Sequence, residues 1–242
     1  MTTGTLYGVG VGPGDPDLLT LKAHRLISAA SVVAYPAPLG GDSFARSIVA
    51  DFIPSSAEEI AISVPMDVKR FPAQDVYDAA ASTLSKRLSA GQNAVVLCEG
   101  DPFFYGSFMY LYERLIDTHR VEVVPGVSSL MTCAARLGRP LAGRNDVLRV
   151  IPAPLPEDRL ETELDQAESA AIIKLGRHFE KVRRVLHRLG LIEACGYVER
   201  ASLDTEIVRP LSAMDGREIP YFSMILLYKG DEAWARAPQL SA

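Results

Sequence analysis

Thr5-Leu6-Tyr7-Gly8-Val9-Gly10-Val11-Gly12-Pro13-Gly14-Asp15-Pro16 carries an apolar strand straight into a glycine-rich turn, and helical spacing follows over residues 18–29. Strand, tight turn and helix in that order open an α/β layer. Apolar runs at 31–35, 60–64, 94–98 and 121–124 predict four more strands, with helical patterns at 76–89 and 107–116 between them. After Pro125-Gly126 the pattern restarts with a helix over 129–137 and strands over 148–151, 170–175, 194–198, 206–210 and 222–228. Only one strong helix, 179–189, separates the later strands, so this half reads as a mixed or antiparallel sheet. The fold class is α/β, in two α/β domains at 1–124 and 125–242, with a proline-rich connector at 152–156 and a fraying tail beyond 230.

The chain has 242 residues, 48% hydrophobic and 23% charged, which excludes disorder, fibrous repeats and small disulfide-stapled scaffolds. No apolar run reaches the roughly 18 residues of a membrane helix, and the opening Met1-Thr2-Thr3-Gly4 has no basic segment leading into an apolar one. A cytoplasmic protein without a membrane partner is expected. A net charge of −5 disfavours nucleic acid as a partner. The cations are 19 Arg against 6 Lys, a bias that suits two-pronged recognition of carboxylates and equally suits a GC-rich genome.

Several chemistries drop out on detail. A dinucleotide fingerprint needs its third glycine where this chain has Pro13, and the second strand ends at Ala34-Tyr35-Pro36 without the acid that would hold a ribose. There is no phosphate-loop Gly-Lys-Ser/Thr, and neither Gly106-Ser107 nor Gly126-Val127-Ser128 completes a nucleophile elbow. His24, His119, His178 and His187 lack metal-ligand spacing and read as surface residues. Cys98, Cys133 and Cys195 form no Cys-x-x-Cys pair and read as buried thiols, so no metal is expected. What remains is a compact turn, Glu99-Gly100-Asp101-Pro102-Phe103-Phe104-Tyr105-Gly106, directly after the strand at 94–98. Loops at the carboxyl ends of strands form the usual crevice of an open α/β sheet, although Asp101 reads equally well as a turn cap.

The glycine-rich turn with Leu18-Leu19-Thr20-Leu21-Lys22-Ala23, the Gly100-Asp101-Pro102 turn and Val124-Pro125-Gly126-Val127-Ser128-Ser129 together resemble the tetrapyrrole methylase superfamily over almost the whole chain. Residues 98–115, Tyr35-Pro36 and Pro220-Tyr221-Phe222-Ser223-Met224 are most similar to the branch that methylates C20 of precorrin-2. The resemblance implies a homodimer whose two α/β domains fold S-adenosyl-L-methionine into the cleft between them. It implies cofactor contacts at Pro13, Glu99, Gly100, Asp101, Phe104, Ser128, Ser129, Leu175, Ala201, Phe222 and Ser223. Many relatives carry glycine at the Ala201 position. The macrocycle is a polycarboxylate, so Arg46, Lys69, Arg70, Arg144 and Arg177 are its candidate partners, although each taken singly reads more readily as an exposed solubility charge. No residue is assigned as a catalytic base. The expected substrate is metal-free precorrin-2, the alternatives being its cobalt form, another corrin-pathway methylation, or a non-catalytic tetrapyrrole carrier.

Overall fold

The computed structural model describes residues 3–64, 70–214 and 217–230. Lys69 and the tail beyond 230 lie outside them. The chain divides into two compact units, Met1–Ser128 and Ser129–Ala242.

The first unit is a parallel sheet of β1 (Thr5–Gly10), β2 (Val32–Pro38), β3 (Glu58–Val64), β4 (Ala94–Cys98) and β5 (Arg120–Val124), in the order β3-β2-β4-β1-β5. All of β4 is buried, and the pleat explains its unbroken apolar sequence. Ala94, Val96 and Cys98 pack in one core with Leu84, Leu88, Phe108 and Leu111 from α3 (Arg70–Ser89) and α4 (Phe108–Leu115). Val95 and Leu97 pack on the other face with Ala23, Ile27, Ala45 and Ile48 from α1 (Leu21–Ser28) and α2 (Phe44–Ile48). β1 and β4 are neighbours, yet β1 is followed in sequence by β2 on the far side of β4, and β4 by β5 on the far side of β1. Their carboxyl ends therefore form the switch point at which open α/β sheets bind ligands.

The first helix starts three residues later than its expected 18: a short 3-10 turn at Pro16–Leu18 comes first, and α1 starts only after the Thr20 hydroxyl caps the Ala23 N–H at 3.1 Å. β2 runs three residues beyond its expected end, to Pro38. Its prolines are tolerated in that extension because β2 pairs there with β3 alone; its pairing with β4 stops at Ala34.

In the second unit the strands are β6 (Leu148–Pro152), β7 (Ser169–Ile173), β8 (Cys195–Glu199), β9 (Ile207–Pro210) and β10 (Ser223–Tyr228), in the order β6-β7-β10-β8-β9. β6 and β7 are parallel, and every pair involving β10 or β9 is antiparallel, so the sheet is mixed as expected. Helix α5 (Ser129–Leu137) covers one face through Leu130, Cys133, Ala134 and Leu137. On the other face α7 (Phe179–Arg188) is joined by α6 (Glu157–Asp165), a helix beyond the 152–156 connector that the sequence pattern does not predict. α6 escapes notice because Leu160 and Leu164 alone are buried in an otherwise charged run. All three cysteines are buried and unpaired; burial pushes the thiols of Cys133 and Cys195 up to about 12. His119 departs from the surface reading: it is half-buried, and its Nε2 lies 2.8 Å from the Ser85 hydroxyl.

Candidate functional site

Past its last strand residue, β1 stays bound to β4. Val11 N–H donates to Cys98 O at 2.9 Å, and Gly12 and Gly100 exchange backbone hydrogen bonds at 3.3 and 2.9 Å. Gly100 holds φ at +61°, a conformation a side chain at that position would disfavour. Against this bridge lies the turn after β5. A Cβ on Gly126 would stand 2.1 Å from Gly100 O and 2.8 Å from Gly10 Cα, and a Cβ on Gly10 would stand 2.6 Å from the same carbonyl. Three turns meet here backbone to backbone, at the switch point.

Asp101 is the strut of this junction. Its Oδ1 accepts the Phe103 N–H at 2.9 Å, closing its own turn, and its Oδ2 accepts the Gly126 N–H at 3.1 Å. Asp101 is thus a turn cap, and it stands at the carboxyl end of the sheet. Asp101→Asn should lose one of these two bonds, because an amide nitrogen cannot accept. At about 1.5–3 kcal/mol for a bond to an ionised group, the melting temperature should fall by roughly 3–10 °C. An unchanged calorimetric melting curve would remove the strut.

Glu99, half-buried at the end of β4, accepts from its own backbone N–H and from that of Ala45 in α2. Desolvation raises its carboxyl above the usual range, the backbone bonds opposing this. A raised carboxyl favours the folded state below the ordinary Glu range and loses that contribution as pH climbs through the folded value. Glu99→Gln should therefore melt higher than wild type at neutral pH and lose the advantage in acid; the same difference at both pH values would contradict the assignment. Pro13 is buried, and Phe104, within the 99–106 turn, is exposed. Ser128 follows the Gly126 turn.

In the second unit the carboxyl ends of β7 and β8 and the amino end of antiparallel β10 share one edge of the sheet. Leu175 is buried there between Lys174 and Gly176, and Ala201 is buried between Arg200 and Ser202. Ser223 is buried next to exposed Phe222. Lys174, Arg200 and Ser202 hold φ of 59, 49 and 67°, a cluster of left-handed non-glycine residues of the kind that persists at functional sites. Ser129 opens α5 and is exposed.

The expected macrocycle partners fare differently. Arg46 is engaged: it forms a two-pronged pair with Glu59 at 2.5 and 2.9 Å and lies 5.9 Å from the centre of the Tyr35 ring. This guanidinium holds the Glu59 carboxyl below its usual range. Arg177 is exposed, with Nε 3.4 Å from His178 Nε2. Arg144 is exposed at φ 47° in a turn closed by Asp146, whose Oδ2 accepts the Gly143 N–H at 2.9 Å. Arg70 opens α3. The sequence reading missed the Tyr197–Glu199–Arg217 cluster described below. Its signal was an acid, Glu199, closing a strand that is otherwise apolar.

Residues 5–215 match the Tetrapyrrole (Corrin/Porphyrin) Methylases, and the chain belongs to that family. Among its relatives it is 37% identical over 232 residues to the precorrin-2 C(20)-methyltransferase of Sinorhizobium sp, covering 93% of this chain and 95% of that one. It is 33% identical to the cobalt-precorrin-2 C(20)-methyltransferase of Salmonella typhimurium, covering 93% and 97%. Against the cobalamin biosynthesis protein CobIJ of Mycobacterium tuberculosis it is 40% identical over 94% of its own length and spans about half, 46%, of that protein. In structure it resembles the uroporphyrin-III C-methyl transferase of Thermus thermophilus complexed with S-adenyl homocysteine. The TM-score is 0.68 at 26% identity, over 93% and 92% of the two chains.

Proposed function

We propose that this chain transfers the methyl group of S-adenosyl-L-methionine to C20 of precorrin-2, giving precorrin-3A in cobalamin synthesis. The observation that carries the reading is the 37% identity along nearly the full length of a precorrin-2 C(20)-methyltransferase. The Gly10–Gly100–Gly126 junction supports it, since it stands at the switch point with an acidic turn, Glu99 to Asp101, and no cation within it.

The site suits this cofactor by the chemistry of its donors. Small residues at Gly100, Ser128 and Ala201 put no bulky side chain in the way of the adenosyl and amino-acid ends. The acids Glu99 and Asp101 suit a cation, although Asp101 already spends both oxygens on backbone. When bound, the cofactor supplies an electrophilic methyl on a sulfonium. The S–CH3 bond would break as the C20–CH3 bond forms, with S-adenosyl-L-homocysteine as the leaving group and the displaced C20 proton passing to water. The chain's task is to orient the two reactants and exclude water, and positioning of that kind can contribute about 7–11 kcal/mol. The cofactor contacts of the sequence reading, from Pro13 and Phe104 to Ser129, Leu175, Phe222 and Ser223, keep that role in the proposal. Domains at 1–124 and 125–242, a homodimer and a cytoplasmic setting without nucleic-acid or membrane partners complete it. Among the described residues no helix is long and apolar enough to cross a membrane.

Metal-free precorrin-2 is the substrate in this reading. Anaerobic turnover with the metal-free and the cobalt-bearing macrocycle tests it directly. Methylation of the metal-free form supports the reading, and a strict requirement for inserted cobalt would move the chain to the other branch of the pathway. Micromolar S-adenosyl-L-homocysteine binding with no turnover on any corrin intermediate would make it a carrier.

A further inference from the structure

Glu199, the last residue of β8, is 0% exposed and yet carries four hydrogen bonds to its carboxylate. Tyr197 donates its hydroxyl to Oε2 at 2.8 Å and Arg200 its Nη1 to Oε1 at 2.8 Å, while Arg217 Nη2 reaches both oxygens, at 2.9 and 2.8 Å. A buried ion pair is a weak source of stability, because desolvation cancels most of the attraction, so the cluster calls for another reason to exist.

Its position supplies one. Arg200 and Ser202 on either side of Ala201 are left-handed, which costs an ordinary residue about 1–2 kcal/mol each. The Arg200 side chain folds back onto Glu199, and the Ser202 N–H is held by Glu206 at 2.6 Å. The Arg200 N–H donates to Phe222 O at 2.8 Å, tying this turn to the start of β10. Ser223 then interacts with the Tyr197 hydroxyl, and its own hydroxyl donates to Pro220 O at 2.7 Å. Arg217 fixes the far end of the segment that leads into Phe222 and Ser223. One buried carboxylate therefore gathers the turn bearing Ala201 and the segment bearing Phe222 and Ser223.

We propose that Glu199, with Arg217 and Arg200, is a positioning residue that holds the Ala201 turn and the Phe222-Ser223 segment in the arrangement the cofactor binds. This rests on the cofactor role proposed above for Ala201, Phe222 and Ser223. The carboxylate acts through the backbone it braces and touches no substrate atom.

The test uses Glu199→Gln, Arg217→Gln and the double variant in the full chain. S-adenosyl-L-homocysteine affinity is measured by calorimetry, and the KM for each substrate and kcat in turnover. Glu199→Gln keeps the shape and an acceptor for Tyr197 but cannot serve both arginines. The expected result is a roughly tenfold or greater weakening of S-adenosyl-L-homocysteine binding in each single variant, equivalent to about 1.4 kcal/mol. The KM for the methyl donor should rise to match while the macrocycle KM stays put, and the double variant should be no weaker than the weaker single. Wild-type affinity in the single variants, a lowered melting temperature with unchanged affinity, or losses that multiply in the double variant would each overturn the proposal. If Glu199→Gln does not fold, Arg217→Gln, with its side chain 40% exposed, decides alone. Failure of the wild-type protein itself to bind S-adenosyl-L-homocysteine would instead remove the functional reading on which the proposal rests.

Discussion

Gly126→Ala should lose at least a hundredfold in S-adenosyl-L-homocysteine affinity and melt roughly 5–10 °C lower than wild type. The added methyl would stand 2.1 Å from Gly100 O and 2.8 Å from Gly10 Cα. Both neighbours are backbone, so no rotamer change relieves the clash, and the turn after β5 must separate from the bridge between β1 and β4. Overpacking of this kind costs about 1–3 kcal/mol, and more where the surroundings cannot yield. Gly40→Ala is the control for an added methyl with room around it. Gly40 sits at positive φ, 73°, which Gly126 does not, and a Cβ there meets nothing within 4 Å. It should show only the conformational penalty of about 1–2 kcal/mol and bind normally. Calorimetry on both variants checks this; a Gly126→Ala protein indistinguishable from Gly40→Ala would mean that the three turns do not pack as described.

Arg144→Ala should raise the macrocycle KM by about 10–150 fold with the cofactor dissociation constant unchanged. The range follows from about 1.5–3 kcal/mol for a hydrogen bond to an ionised group. Arg144 is the first choice among the candidate partners, because it stands exposed at φ 47° in the 143–146 turn that follows helix α5, which opens at Ser129. A left-handed arginine occupies a position where glycine or asparagine would be less strained, which is a reason to look for function in its side chain. Arg144→Lys keeps the charge and loses the planar fork, so it should fall between alanine and wild type. Normal macrocycle kinetics in both variants, or an equal loss of cofactor affinity, would end this division of labour.

What could be read in advance follows from the range over which each interaction acts. β4 and α5 were legible to the residue, because an unbroken apolar run and a helical stripe are local signals. α6 was not, since two buried leucines in a charged segment look like linker until the sheet they cover is known. The glycine-rich turn and the Pro125-Gly126 pair were visible as motifs. That Gly10, Gly100 and Gly126 touch was not, because their contact spans more than a hundred residues of chain. Side-chain partners were the least legible. Nothing local pairs Arg46 with Glu59, or brings Arg217 to a carboxylate eighteen residues away, and only the sheet order makes those meetings necessary. Left-handed Lys174, Arg200 and Ser202 were equally hidden, because their residue types do not announce a positive φ.

The site of methylation is the most direct measurement. The protein is incubated anaerobically with metal-free precorrin-2 and S-adenosyl-L-methionine carrying a carbon-13 methyl group, and the product is examined by NMR. Enrichment of a single methyl attached to C20 is the expected result; label at any other carbon of the macrocycle would contradict the assignment.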